Sequence, residues 1–348
     1  MRNLILKFKR KFVNYFRKQF KNSKRLRKSR IAILFYYTFI DKKFEREIRS
    51  VVDGITRHEE DVNATSKNTA LLRRNIHRIE KGLIMQPRRD VFAEEYILET
   101  VRVFANNYSK LLLTNTEEVL WFDDVLHKYF SVVDHVRDVE RAKALFTQIP
   151  IEKRVATNFK PYIRDLNQTI PTYDDFFSLC RRRRSVRWFE QKKVPRNLIE
   201  KAFEAALQSP SACNRQPFRF HVFDDCDLLN KVVSIPGGTK GYGHNIPCFI
   251  LVIGQQRAYF DERDRHVIYI DGSLAAMSFA FALETLGLSS CMINWPDVEE
   301  YEQEMAAFAN LDFDERVIMC IACGWPNNKI EVPYSHKKPV NELVTYNR

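Results

Sequence analysis

The residues best suited to bind or react lie in two short stretches of the second half of the chain. Arg181 to Arg187 reads RRRRSVR, and Ser209 to Phe223 reads SPSACNRQPFRFHVF. A phosphate dianion needs guanidinium groups and short donors, which Arg183, Ser185 and Arg187 would supply with bidentate geometry. Taken alone, the run reads rather as a solvated helix end whose cations offset the helix dipole. Asn214 carries an amide that both donates and accepts, which suits hydroxyls or a polar ring edge, or else it makes an Asx turn beside Pro217. Cys320 and Cys323 form a CxxC inside VIMCIACGW, which reads as a buried strand. Residues three apart on a strand face opposite ways and no second CxxC or nearby CxxH completes a zinc set, so no metal centre is expected. His221 falls in an expected strand and reads as structural. His244, in GGTKGYGHN, is a candidate substrate contact. That loop holds four of the ten glycines and is expected to be mobile. No Ser-His-Asp set stands out.

These stretches need elements to position them. Asp174 to Arg182 reads as a helix running into the basic segment. Val194 to Leu207 reads as a second helix, with Leu198, Ile199, Ala202, Phe203, Ala206 and Leu207 on one apolar face. The Pro-bounded polar loop from Ser209 passes into an alternating strand. Ile246 to Gly254 is a continuous apolar run suited to a buried central strand. Asp271 to Leu288 is a helix of small and apolar residues, hydrophobic on nearly all sides and therefore expected to be buried.

A basic RRSxRxF, one helix and then PSxxNxQPxxF is the order that opens the nitroreductase fold, and residues 172–348, about half of the chain, resemble that family. The resemblance implies an α+β class, a mixed β-sheet flanked by helices, here preceded by an all-helical region. It implies FMN as cofactor, with Arg183, Arg184, Ser185 and Arg187 near its phosphate. Ser211, Ala212 and Asn214 would belong to a flavin-binding loop contributed across a homodimer interface, with the Asp271 helix at the dimer centre. Asn294 and Trp295 would sit near the flavin ring. Lys337, in SHKKPVNELV, stands where the family has a phosphate-binding arginine, and its ammonium binds as a point charge only. The implied reaction is ping-pong: NADH or NADPH reduces FMN, and a small-molecule substrate reoxidises it. The flavin carries the redox chemistry, so no catalytic side chain is required. Dehalogenation and flavin destruction also occur on this fold, which leaves the substrate open. The alternative is a flavin-binding or degenerate module that acts in assembly or partner binding at a membrane surface.

Bulk properties set the frame. With 348 residues, 45% of them hydrophobic, the chain can bury a sizeable core and divides into regions at 1–40, 41–165 and 172–348. Seven cysteines, an odd number and all beyond residue 179, do not make a disulfide framework, so a reducing, cytoplasmic setting is expected. Residues 1–30 hold 13 of the 56 Lys and Arg and none of the 44 Asp and Glu, which leaves the remainder near neutral. The basic character therefore belongs to an arm that seeks a local polyanion, not to a general nucleic-acid-binding surface. RNA or DNA is disfavoured because no aromatic-glycine RNA motif or zinc pattern accompanies it.

At helical spacing the arm places Leu4, Ile5, Phe8, Phe12, Val13, Tyr15, Phe16 and Phe20 on one half of the wheel and most of its cations on the other. Such a helix would lie on an anionic membrane surface or pack on the protein's own body. Ile31 to Ile40 is apolar but too short to cross a bilayer. The segment fits a signal peptide poorly, while an Arg-rich, acid-free transit peptide stays open. From Asp41 to about Asp165 the pattern is helical. HRIEKGL, His77 to Leu83, resembles a motif of N-terminal extensions on nitroreductase-like proteins encoded near polysaccharide-assembly genes. His77, Glu80, Lys81, Arg88 and Arg89 would line an anionic-substrate site or form an ion-paired surface, and Gly82 would cap a helix. Pro161 to Thr172 reads as a linker.

Overall fold

The computed structural model describes residues 2–63, 69–134, 136–150 and 158–347, with side chains described from residue 11 onward except 62 and 63. Leu4, Ile5 and Phe8 of the expected apolar face therefore lie outside the described side chains. Helix α1 spans Arg2–Asn22 and α2 spans Arg30–Phe35, continued by one π-helical turn, Tyr36–Ile40. They close on each other through Val13, Phe16 and Phe20 of α1 and Ala32, Ile33, Tyr36, Tyr37 and Ile40. The apolar stripe of α1 is thus partly consumed within the protein.

Helix α3, Glu45–Asn63, runs from the arm onto the C-terminal half. Gly54 allows the approach, because a Cβ there would collide with Gln256 and the Arg257 backbone. The contact is fixed by Arg46, which donates to both carboxylate oxygens of Glu299 at 2.6 Å, and by the His58 imidazole Nδ1 beside the Arg257 carbonyl at 2.9 Å.

Helices α4 (Ala70–Leu83), α5 (Glu94–Thr114), α6 (Thr116–Phe130) and α7 (Arg137–Phe146) form a bundle with its own core, including Ile76, Ile79, Ile97, Val101, Phe104 and Phe122. These recur three or four residues apart, so each helix turns one stripe inward. Gly82 is not the expected cap. It lies in the last turn of α4, where the Phe92 ring occupies the space a Cβ would take.

After the expected exposed linker come α8 (Tyr173–Arg182), α9 (Arg196–Ala206), α10 (Cys226–Val232), α11 (Val267–Thr285), α12 (Glu299–Ala309) and a terminal turn α13 (Val340–Leu343). Strands β1 (Phe218–Phe223), β2 (Cys248–Gln255), β3 (Ser289–Asn294) and β4 (Glu315–Gly324) form one sheet in the order β1-β2-β4-β3. The α+β class is as expected. The sheet differs from the mixed one expected: all three ladders are antiparallel, and parallel pairing is confined, among the described residues, to a single Ser185–Ser290 bridge.

The central strands are buried on both faces. Phe249, Leu251 and Ile253 of β2 enter a core under α10 and α12, and Cys248, Ile250 and Val252 enter one under α9 and α11. Cys320 and Cys323 of β4 divide between the same two cores, so the CxxC cannot converge on one ligand. Leu207, expected on the apolar face of α9, is half exposed because the helix ends before it.

Helix α11 is long and apolar enough by composition to cross a membrane, yet it packs on α9 and the sheet as a core helix. Gly272 brings it against Ile318 of β4. Its burial is less complete than its composition suggests, because Ile270, Leu274 and Met277 remain exposed along one side. The glycine-rich loop also departs from expectation. Tyr242 is buried in the core, and the Thr239 hydroxyl bonds to the Pro236 and Val233 carbonyls, so this loop is packed in place.

Candidate active site

The basic run is positioned by the two ends of α8. At its start Thr172 and Asp175 form a reciprocal capping box: the Thr172 Oγ1 accepts from the Asp175 amide at 3.2 Å, and the Asp175 Oδ2 accepts from the Thr172 amide at 3.1 Å. At its end Arg183 leaves helical geometry, with ψ of 117°. The chain then runs extended beside β3, and the Val186 amide donates to the Ser290 carbonyl at 3.0 Å. The four arginines are therefore not one solvated helix end. Arg182, Arg184 and Arg187 line a cleft of about 380 Å³ with Glu284, Ser289 and the segment after Pro326, while Arg183 and Ser185 lie outside its lining.

The charges of this cleft are unequally matched. Glu284 accepts from the Ser289 hydroxyl at 2.9 Å and from Arg182 Nε at 3.3 Å. Burial lifts its carboxyl above the usual range, against the pull of those two donors. Arg184 donates to the Arg183 carbonyl at 3.2 Å and Arg187 to the Ser185 carbonyl at 3.4 Å, with the Arg187 guanidinium also against Tyr242, and neither has a carboxylate partner among the described residues. Arg183 Nε is buried without an acceptor. The cleft-lining pair Arg184 and Arg187, without carboxylate partners, is suited to an external anion.

The second stretch forms a strained loop. Cys213, Asn214 and Gln216 adopt φ of 54°, 52° and 51°, a region easy for asparagine but unfavourable for the other two. The Ser211 hydroxyl accepts from the Gln216 amide at 3.1 Å, and the Ala212 amide donates to Asp271 of α11 at 2.9 Å. Asn214 Oδ1 accepts from the Gln216 side chain at 3.3 Å, so part of its amide serves the loop itself. Burial raises the Asp271 carboxyl above its usual range, opposed by the Ala212 amide, the Tyr259 hydroxyl and Arg215.

The helical extension reaches this loop. Arg73 of α4 donates from Nε to the Asn214 carbonyl at 2.8 Å and from Nη1 to Glu118 at 2.6 Å. Arg74 and Arg78 of the same helix lie over the rings of Phe260 and Tyr96, and the buried Arg215 lies over Tyr259. Burial, then the charges of Arg78 and Arg215, lower Arg74 from its usual range, and Arg215 Nε has no acceptor. Sequence reading named other residues of this segment, as an anionic-substrate site or an ion-paired surface. His77 pairs with Glu80, which also accepts from the Trp121 indole at 3.0 Å, and Lys81, Arg88 and Arg89 are exposed. The available signal was the helical spacing of Arg74 and Arg78, which places them on one face.

The remaining candidates scatter. Asn294 is exposed at the end of β3. Trp295 is buried, and its indole donates to Glu302 at 2.9 Å, with Arg316 on the same carboxylate at 3.0 Å. Lys337 is exposed in the extended tail. His221 stacks on Phe223, and His244 meets the edge of Trp188. A larger cavity, about 880 Å³, lies between the start of α3 and α12, with Arg46, Glu299 and Arg316 in its walls. Its acids and bases are abundant and many are paired, although Arg316, bonded through Nη2 to Asp297 and Glu302, keeps Nε and Nη1 buried without acceptors.

The two principal half-sites stand at opposite ends of α11. Asp271 anchors the loop and Glu284 borders the arginine cleft, 13 positions apart, which is about 20 Å along a helix. The exposed Ile270, Leu274 and Met277 belong to the same helix.

Residues 180–235 and 230–325 match the nitroreductase family. The chain is 23% identical over 198 residues to iodotyrosine deiodinase 1 of Sus scrofa, covering 49% of this chain and 68% of that protein. It is 27% identical over 158 residues to a protein of Methanothermobacter thermautotrophicus provisionally named an NADH dehydrogenase/NAD(P)H nitroreductase, covering 44% and 78%. Among solved structures, an FMN-dependent nitroreductase of Clostridium difficile aligns with a TM-score of 0.42 at 22% identity, over 49% of this chain and 99% of that one.

Proposed function

We propose that this nitroreductase-family oxidoreductase holds FMN at a site shared between two copies of the chain and uses NADH or NADPH to reduce a small substrate. The observation that carries the reading is the cleft pair Arg184 and Arg187, which have no carboxylate partner among the described residues. A phosphate dianion in the cleft would satisfy both, while Arg183 and Ser185 would reach it only if their side chains reorient. FMN, when bound, supplies the electron-transfer chemistry. The protein binds and orients it, and Ser211, Ala212 and Asn214 offer the polar groups of the second half-site.

The geometry of α11 supports sharing. A gap of about 20 Å separates the half-sites within one chain. A two-fold axis that packs the exposed Ile270, Leu274 and Met277 face against itself with the helices antiparallel would set the loop of one copy beside the arginine cleft of the other. The guanidiniums of Arg74, Arg78 and Arg215, which have no carboxylate partner among the described residues, favour a substrate that carries a negative group. Reductive dehalogenation is the second reading, favoured by the likeness to the deiodinase, and halide release under anaerobic turnover distinguishes it.

The test is an absorbance spectrum of purified protein, followed by anaerobic titration with each nicotinamide. Bound FMN and its bleaching are expected. Arg187→Ala is expected to weaken FMN binding on the order of ten- to a hundredfold, the loss of one charge-assisted contact, while Arg88→Ala leaves it unchanged. A well-folded protein with no FMN affinity would overturn the reading.

A further inference from the structure

Helix α2 is apolar on two sides, and the hairpin with α1 uses only one. Ala32, Ile33 and Tyr36 face α1, where the Tyr36 ring stacks on Phe20 at 3.9 Å between centroids. Ile31, Leu34 and Phe35 occupy the opposite side and are exposed, Ile31 by 80%. Phe39, 66% exposed, lies 5.3 Å from the Phe35 ring and extends the same patch. An isolated exposed apolar residue is ordinary, but four on one short element are not.

The charge around this patch is of one sign. Residues 1–30 carry 13 Lys or Arg and no acid, and six of the cations fall between Lys21 and Arg30, just before the patch. The first carboxylate of the chain, Asp41, is neutralised within the fold. It is buried, accepts from the Tyr36 hydroxyl at 3.1 Å and pairs with Arg17 at 3.7 Å. Two such arms would repel each other, which disfavours a second copy as the occupant. The apolar stretch Arg30–Ile40 is also too short to cross a bilayer.

We propose that Ile31, Leu34, Phe35 and Phe39 seat the protein on an anionic lipid surface. Their side chains enter the boundary between headgroups and acyl chains, while the flanking Lys and Arg hold headgroup phosphates and carboxylates. This adds the outer side of α2 to the α1 face, where the hairpin buries Phe20 and partly covers Phe16 while Phe12 and Tyr15 remain exposed. The cytoplasmic leaflet, rich in anionic lipid, is the matching surface.

Full-length protein is tested by cosedimentation with phosphatidylcholine vesicles with and without phosphatidylglycerol. Binding is expected only to the anionic vesicles, and it falls as salt rises. The triple substitution Ile31→Ser, Leu34→Ser, Phe35→Ser is expected to lower bound protein by about tenfold or more at low salt, with helicity retained by circular dichroism. A second measurement does not depend on that variant folding. Phe35→Trp is expected to shift its emission to the blue on anionic vesicles and to be quenched by brominated lipid, whereas Phe20→Trp, inside the hairpin, is not. Failure of the wild type to bind, equal binding by the triple variant, or no quenching at position 35 overturns the proposal. So does light scattering that shows the patch buried in a dimer which the triple variant splits.

Discussion

Arg73, in the helical extension, donates from its guanidinium Nε to the carbonyl oxygen of Asn214, 141 residues later, at 2.8 Å. The same guanidinium pairs with Glu118 of the bundle. One side chain therefore ties the bundle core to the left-handed loop of the candidate flavin site. Holding Cys213, Asn214 and Gln216, three residues of four, in the left-handed region needs such outside support.

Arg73→Ala is expected to cost about 3 kcal/mol of stability, near the lower end for removing one partner of a buried ion pair, because Glu118 keeps a buried charge. Glu118→Gln should cost less, since the amide still accepts from Arg73. FMN affinity should fall for Arg73→Ala by more than stability alone accounts for, once measured under conditions where the variant is fully folded. Urea unfolding and FMN titration on the same preparations check both parts.

Leu274→Arg is expected to give a monomer in sedimentation experiments and to lose FMN on gel filtration. The substitution places a charge in the exposed apolar face of α11 without touching either half-site. A monomer that keeps wild-type FMN affinity would show that one chain completes the site.

Asp271 predicts a pH dependence of definite sign. Burial raises its folded-state pKa above the ordinary carboxylate value, so the folded protein holds this proton more tightly than the unfolded chain does. Its contribution to stability is then most favourable below the unfolded pKa, declines as pH rises through the folded value and stays low above it. Asp271→Asn keeps an acceptor for the Ala212 amide and abolishes this titration. The variant should be more stable than wild type at neutral pH, with the advantage shrinking as the solution is acidified through the carboxylate range. Thermal unfolding across pH measures the difference.

Much of the C-terminal fold was legible in the sequence because its determinants are local. Continuous apolar runs fixed β2 and β4 as strands buried on both faces, and small apolar residues marked α11 as a core helix. The two motifs RRSVRWF and PSACNRQP lie close enough in sequence to be read together, and their residue types suit a phosphate and a polar ring edge. The charge asymmetry of residues 1–30 is likewise a property of the chain alone.

The tertiary structure decided which of these residues meet. Periodicity says that α4 has a polar face, but not that Arg73 on that face finds Asn214, because the partner is chosen by how the bundle docks on the sheet domain. The left-handed backbone at Cys213 and Gln216 has no propensity signal, since it is imposed by Ser211, Asp271 and Arg73 from outside. The about 20 Å between the half-sites is a length along α11 that appears only once both are anchored to it. On α2, sequence shows apolar residues all round. Only the hairpin with α1, by burying Tyr36 and Ile33 and leaving Ile31, Leu34 and Phe35 outside, determines which side is free for a partner.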